Sequence, residues 1–300
     1  MYGRPTALQS WRVDAMTAPT WPLETEEIAH LERLVQRHDV TVNGRSVVWR
    51  RCGRGEPLVL LHGGHGSWLH WARNLEFLAQ DHEVWVPDLP GYGDSDPLGS
   101  SSLDDLVGAT SRSLDVLVGA QTAVSLVGFS FGGLVAATLA SRRPSVSRLA
   151  LLGAAGHGGI RRPRGPLRSW KDLAVGSTEW LDVMRNNLQM HMLHDSSRVD
   201  ELAMQVHSQS CLATRFHSKR ISRAGGLQQV LDSYPGPVLL AWGEHDVTAD
   251  PATTGSQLAA QRPQREVVLI DGAGHWVQYE QADRVNALVR QWMQSGGESS

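Results

Sequence analysis

The sequence predicts a mostly parallel, eight-stranded α/β sheet flanked by helices and interrupted by a helical insertion. Three observations carry that prediction. Six short, unbroken apolar runs recur along the chain, most of them separated by helix-length stretches. A hairpin-like pair of alternating segments precedes them, and one interval of about eighty residues contains no such run.

The hairpin comes first. D-V-T-V and S-V-V-W-R flank Asn43-Gly44, and an Asn-Gly pair supplies the left-handed backbone that a tight two-residue turn needs. The apolar runs follow at residues 57–61, 84–87, 123–128, 148–153, 237–242 and 267–270. Strands that are apolar at successive positions belong in a parallel sheet covered on both faces, because neither side of such a strand meets water. An antiparallel start followed by β-α repeats gives a mixed sheet. Between Gly153 and Pro237 the rhythm stops. Segments such as T-E-W-L-D-V-M-R-N-N-L-Q-M have helical spacing, so residues 154–232 are expected to form a helical cap. The core is then assigned to residues 38–153 and 233–300. Residues 1–22 carry Pro5, Pro19 and Pro22 without periodicity, which predicts a loosely attached arm in which Met16 is an alternative start. Ile28, Leu31, Leu34 and Val35 predict a short amphipathic helix, so residues 1–37 are read as arm plus helix.

Composition narrows the function classes. With 41% hydrophobic and 20% charged residues and a formal charge of -3, the chain is of ordinary globular type and has no charge excess that would draw it to nucleic acid. Two cysteines, Cys52 and Cys211, do not make a disulfide framework, which favours a reducing cytoplasmic setting. The first residues lack a secretory apolar core, and no run reaches the roughly 18 apolar residues of a membrane span. The expected partner is a small-molecule substrate, not nucleic acid or membrane, with a homodimer left open.

The chemistry is concentrated in three loops. G-F-S-F-G-G, residues 128–133, directly follows the apolar run A-V-S-L-V and directly precedes the helix-like L-V-A-A-T-L-A. This is G-x-S-x-G in the strand-turn-helix setting of a nucleophile elbow, which makes Ser130 the candidate nucleophile. A serine hydroxyl needs a base, and the base needs an orienting acid. W-G-E-H-D after one late strand supplies Asp246, and D-G-A-G-H-W after the last strand supplies His275, while Glu244, Asp250 and Asp271 are rival acids. Two backbone N–H groups are required for the developing oxyanion. Phe131, next to the nucleophile, supplies one, and the loop L-H-G-G-H-G-S, residues 61–67, supplies the other through Gly64. His62 is expected to buttress that loop by hydrogen bonding. His65, Ser67, Trp68 and Phe129 are candidate pocket residues, with plain loop packing the alternative for the first three.

From about residue 38 onward these pieces resemble the α/β-hydrolase superfamily, in its serine-nucleophile branch. D-L-P-G-Y-G-D-S-D, residues 88–96, looks like a structural loop of that fold. G-H-W-V-Q-Y-E-Q-A-D-R-V-N, residues 274–286, resembles the C-terminal motif of the meta-cleavage-product hydrolases, which split carbon-carbon bonds in ring-fission dienoates. That resemblance implies that Trp276 faces the substrate and that a cap arginine binds its carboxylate, with Arg185, Arg215 and Arg220 the candidates. Phe129 and Phe131 stand where that family has Asn and Met, which removes a polar contact and favours neutral esters. The expected function is therefore a serine hydrolase cleaving a small carboxylic ester or a ring-fission dienoate through an acyl-enzyme. A non-catalytic small-molecule binding protein on the same fold is the alternative.

A serine at the elbow argues against dehalogenase and epoxide-hydrolase chemistry, in which the nucleophile is Asp. No cofactor is expected and no metal, because His191, His194 and Asp195 lie close together without an H-E-x-x-H or cysteine pattern. The arginines of residues 161–168 either steer an anionic substrate or form a solvated loop, and a short charged run broken by prolines favours the loop. Trp170, Trp180 and Met184 either form the acyl side of the pocket or seal the cap onto the core.

Overall fold

A computed structural model describes residues 25–295, so the expected arm and the alternative start at Met16 lie outside the described residues. Among the described residues there are eight strands: β1 Gln36–Val42, β2 Arg45–Gly53, β3 Glu56–Leu61, β4 His82–Pro87, β5 Val124–Phe129, β6 Val146–Leu152, β7 Val238–Gly243 and β8 Arg265–Ile270. They form one sheet in the order β1-β2-β4-β3-β5-β6-β7-β8. β2 is antiparallel to both neighbours, and every other pair runs parallel. The β1–β2 turn uses Asn43 and Gly44 at φ 51° and 73°, as the hairpin reading requires. β1 begins at Gln36, inside the stretch assigned to arm and helix, because Val35 already turns the chain into extended backbone.

The unbroken apolar runs have a direct cause in the layering. Leu58 and Leu60 of β3 point into one apolar cluster, while Val59 and Leu61 point into the other, so both faces of the strand are buried. β1 lies at a sheet edge and exposes Gln36, Arg37 and Thr41, which protects it from pairing with another chain.

The helices before the insertion are α1 Glu26–Leu34, α2 Leu75–Leu78, α3 Leu103–Val118 and α4 Phe131–Ala140. Thr25 caps α1 by accepting from the Ile28 N–H, and the helix buries Ile28 and Leu31 as its spacing predicts. Ser102 caps α3 in the same way. All ten residues of α4 are buried, which explains why its sequence is apolar all round.

Between β6 and β7 the chain runs through an irregular stretch and then α5 Thr178–His191, α6 Glu201–Leu212, α7 Lys219–Arg223 and α8 Leu227–Asp232. Trp180, Met184 and Leu188 of α5 and Ala203 and Val206 of α6 share one apolar cluster with Trp276 and Tyr279. Trp180 and Met184 thus seal the insertion to the core. α9 Pro251–Ala259, α10 Val277–Glu280 and α11 Ala282–Gln294 complete the chain. The buried Glu280 carboxylate accepts from the backbone N–H groups of Gly274 (2.6 Å), His194 (2.8 Å) and Asp195 (2.5 Å), tying the insertion to the loop that follows β8. Among the described residues no helix is long and apolar enough to cross a membrane.

Candidate active site

Ser130 lies between the end of β5 and the start of α4, at φ 52° and ψ −115°. A non-glycine residue there stores on the order of 1–3 kcal/mol of strain, which persists only where the surroundings impose it. Here they do. Its N–H donates to Leu152 O at 2.9 Å, and its carbonyl accepts from the N–H groups of Gly133 and Ala155, each at 2.9 Å. The neighbouring glycines are required by contact: a Cβ at Gly132 would lie 2.3 Å from Leu61 O, and one at Gly128 would lie 2.4 Å from Gly132 O.

The loops after β7 and β8 converge on this serine. Nε2 of His275 is 2.9 Å from Ser130 Oγ, and Nδ1 is 2.8 Å from Asp246 Oδ2. An ionised carboxylate only accepts, so Nδ1 carries the proton and Nε2 is left to accept from the serine hydroxyl. Asp246 is fully buried and also accepts from the Thr248 N–H at 2.7 Å. Burial pushes its acidity toward the neutral form, but the electrostatic interaction with His275 and the hydrogen bonds from His275 and Thr248 outweigh it and hold the carboxyl below its ordinary value. The rival acids are committed elsewhere. Glu244 accepts from the Gly272 N–H, Asp250 caps α9, and Asp271 pairs with Arg284. Gly153, at φ 55°, leaves room for the pair, since a Cβ there would lie 3.0 Å from Asp246 Oδ2 and 3.1 Å from His275 Nδ1.

The alpha/beta hydrolase fold family matches residues 56–282 of this sequence. The chain belongs to that family.

The hydrolase is similar to a 2-hydroxy-6-oxononadienedioate/2-hydroxy-6-oxononatrienedioate hydrolase of Dechloromonas aromatica, at 29% identity over 79% of this chain and 87% of the relative. It is also similar to a 2-hydroxy-6-oxo-6-phenylhexa-2,4-dienoate hydrolase of Burkholderia cepacia, at 28% identity over 82% and 90% of the two chains. Among solved structures, a meta-cleavage product hydrolase from Pseudomonas fluorescens IP01 shares the fold with a TM-score of 0.69 at 23% identity, over 87% of this chain and 98% of that one. An esterase from Rhodococcus sp. ECU1013 does so with a TM-score of 0.70 at 24% identity, over 88% and 100%.

A cavity of about 290 Å³ opens in front of Ser130 and His275. Gly64, His65 and Phe129 line it, while Phe131 is buried at the first turn of α4. Three expected pocket residues lie elsewhere. Ser67 and Trp68 line a separate cavity, because Ser67 contacts Ser210 Oγ at 3.0 Å and the Trp68 N–H donates to Asp88 Oδ1 at 2.9 Å. Trp276 is fully buried, donates from Nε1 to His70 O at 3.0 Å and stacks on Tyr279, so it packs against His70 instead of lining the cavity.

The pocket cations also differ from those expected. Arg185 donates to Val199 O, Arg215 donates to Gly93 O and Ser95 O, and Arg220 is absent from the wall. Arg161, Arg164, Lys219 and Arg223 line it instead, so part of the stretch read as a solvated loop faces the site. None of the four takes part in an ion pair among the described residues. Arg161 is pushed below its ordinary value by burial and then by the charge of Arg223. The readable signal was the lack of any acidic residue from Gly153 to Lys171. Trp170, His191, His207 and Cys211 are also among the lining residues. Burial lowers His191 to about 3 and His207 to about 4, so both are neutral at pH 7, and it pushes the Cys211 thiol up to about 12.

Proposed function

We propose that the protein is a serine hydrolase whose substrate is an acyl compound carrying a carboxylate, of the ring-fission dienoate type. The observation that carries the first half is the alignment of Ser130 Oγ, the two His275 nitrogens and Asp246 Oδ2 at 2.9 and 2.8 Å. The second half rests on four cations lining the same cavity with no acidic partner. A positive cluster that no carboxylate neutralises favours a negatively charged ligand through the potential it focuses in the cavity, with Arg161 half-buried and Arg164, Lys219 and Arg223 exposed. The curated relatives named above act on dienoates, which bear that charge.

In this reading His275 takes the proton from Ser130 as the oxygen attacks a substrate carbonyl, and Asp246 stabilises the imidazolium that forms. The tetrahedral oxyanion accepts from the N–H groups of Phe131 and Gly64; loss of one such donor typically costs roughly 3 kcal/mol in the barrier. His275 then protonates the leaving group. Water activated by His275 releases the acid from Ser130. For carbon-carbon cleavage the dienol first ketonises, and the same groups then act on the new ketone. The cations that line the cavity hold the carboxylate and fix the carbonyl over Ser130.

A parallel kinetic comparison tests this. The expected result is a kcat/KM for a ring-fission dienoate at least tenfold above that for uncharged p-nitrophenyl esters, with Arg161→Gln/Arg164→Gln raising KM for the dienoate alone. Faster turnover of neutral esters, unaffected by those substitutions, would replace this reading with a plain carboxylesterase. Failure of well-folded protein to turn over either class would favour a binding protein.

A further inference from the structure

Gly63 is held from both sides by histidines whose chemistry the hydrolytic steps do not use. Its N–H donates to Nδ1 of His70 at 3.2 Å, and its carbonyl lies 2.8 Å from Nδ1 of His62. The other nitrogen of His62, Nε2, accepts from the Leu89 N–H at 2.9 Å. A backbone N–H can only donate, so these contacts settle both tautomers. His62 carries its proton on Nδ1 and donates it to Gly63 O. His70 has a bare Nδ1 and carries its proton on Nε2.

Both rings must be neutral to do this. His62 and His70 are buried, at 0% and 1% exposure, and burial lowers both below the ordinary histidine value, His70 strongly. Neither ring is free to turn. His62 sits edge-on to Tyr92 at 5.0 Å, and His70 lies 5.4 Å from Phe129 and 5.0 Å from Trp276, whose Nε1–H is bound by the His70 carbonyl. The buried Trp276 thereby acquires a role: it backs the His70 ring.

The consequence lies in the next peptide. Gly63 C=O and Gly64 N–H belong to one planar unit, and no cis bond occurs in the described chain, so the two point in opposite directions. With the carbonyl fixed toward the buried His62, the Gly64 N–H is turned away from it, on the side where Gly64 lines the cavity. Gly63 is close enough to the serine that a Cβ there would lie 3.2 Å from Ser130 Cβ. Granted the serine-hydrolase reading on which this rests, we propose that His62 and His70 are positioning residues that clamp the Gly63 peptides in opposite tautomers and so aim the Gly64 N–H at the oxyanion. A hydrogen bond donated to Gly63 O also polarises the shared peptide, which makes the Gly64 N–H a stronger donor. Glycine backbone is intrinsically loose; the clamp removes that freedom before the substrate arrives.

Three substitutions separate aiming from mere support. His62→Gln places an acceptor near Nε2, keeping the Leu89 bond while removing the donor to Gly63 O. His70→Leu removes the acceptor for the Gly63 N–H, and His70→Asn restores it through Oδ1. Each is measured on the full chain for kcat, KM, melting temperature and affinity for a trifluoromethyl ketone, which forms a tetrahedral adduct at the serine. The expected result is a fall in kcat of about 10- to 100-fold for His62→Gln and His70→Leu, below the 10²–10³ of a lost oxyanion donor. KM should stay within about threefold, ketone affinity should fall in parallel with kcat/KM, and His70→Asn should recover most of the rate. Unchanged kcat in folded His62→Gln and in folded His70→Leu would overturn the clamp. Equal losses in His70→Leu and His70→Asn would overturn it as well. Ser130→Ala is the companion control: if that variant keeps its activity, it is the serine-hydrolase reading that fails.

Discussion

At Gly153 a single hydrogen separates the backbone from the Asp246–His275 pair. With a Cβ placed 3.0 and 3.1 Å from those two side chains and φ at 55°, Gly153→Ala is expected to lower kcat at least tenfold and stability by about 1–2 kcal/mol. Steady-state kinetics and urea titration read the two effects separately. Asp246→Asn should lower kcat by about 10³–10⁴, because the amide no longer enforces the Nδ1–H tautomer, whereas Glu244→Gln should change it less than twofold. Much of this scale was legible in sequence. Motifs around residues 130, 246 and 275 name side chains that the fold brings within hydrogen-bond distance. Side-chain direction was not legible: Trp276 adjoins His275 in sequence yet turns toward His70, because only packing against Tyr279 and the His70 carbonyl decides which way an indole points.

The element that shapes the pocket is the insertion between β6 and β7. It is tied down at one point by Glu280, whose carboxylate receives backbone N–H groups from His194, Asp195 and Gly274. Glu280→Ala would leave the buried Gly274 N–H unpaired and release those of His194 and Asp195, so a loss of about 1–3 kcal/mol in urea unfolding is expected, with Glu280→Gln losing less. The loss should come with a raised KM, since the same loop carries His275. The existence of the insertion was readable from the missing apolar runs. Its inner surface was not, because the arginines at 161 and 164 share a proline-broken stretch whose composition suits solvent; they reach the site only because α7, bearing Lys219 and Arg223, packs beside them, with Arg161 donating to Ser222 O.

Across the whole molecule charge is nearly balanced, with 28 basic and 31 acidic residues, yet the cavity wall is positive. Raising salt from about 0.05 to 0.5 M shortens the screening length and should lower kcat/KM for an anionic substrate severalfold through KM, while a neutral ester is little affected. The folded state has its own pH signature. Asp246 is held below its ordinary value, so it contributes stability that is fully present above the usual carboxylate range and is lost as pH falls through the depressed folded value. Urea unfolding below pH 4 should therefore show a decline that is shallower in Asp246→Asn. The sheet itself was legible because its strands are buried on both faces and carry unbroken apolar runs. The order of those strands was not, since nothing local tells β4 to lie between β2 and β3.

The account stands on one nucleophile at residue 130. Treatment of the wild-type protein with a fluorophosphonate, followed by intact mass and peptide mapping, should give a single adduct on the peptide containing Ser130, with labelling slowed by at least 10²-fold in His275→Ala. An adduct on another residue, or labelling indifferent to the imidazole, would contradict it.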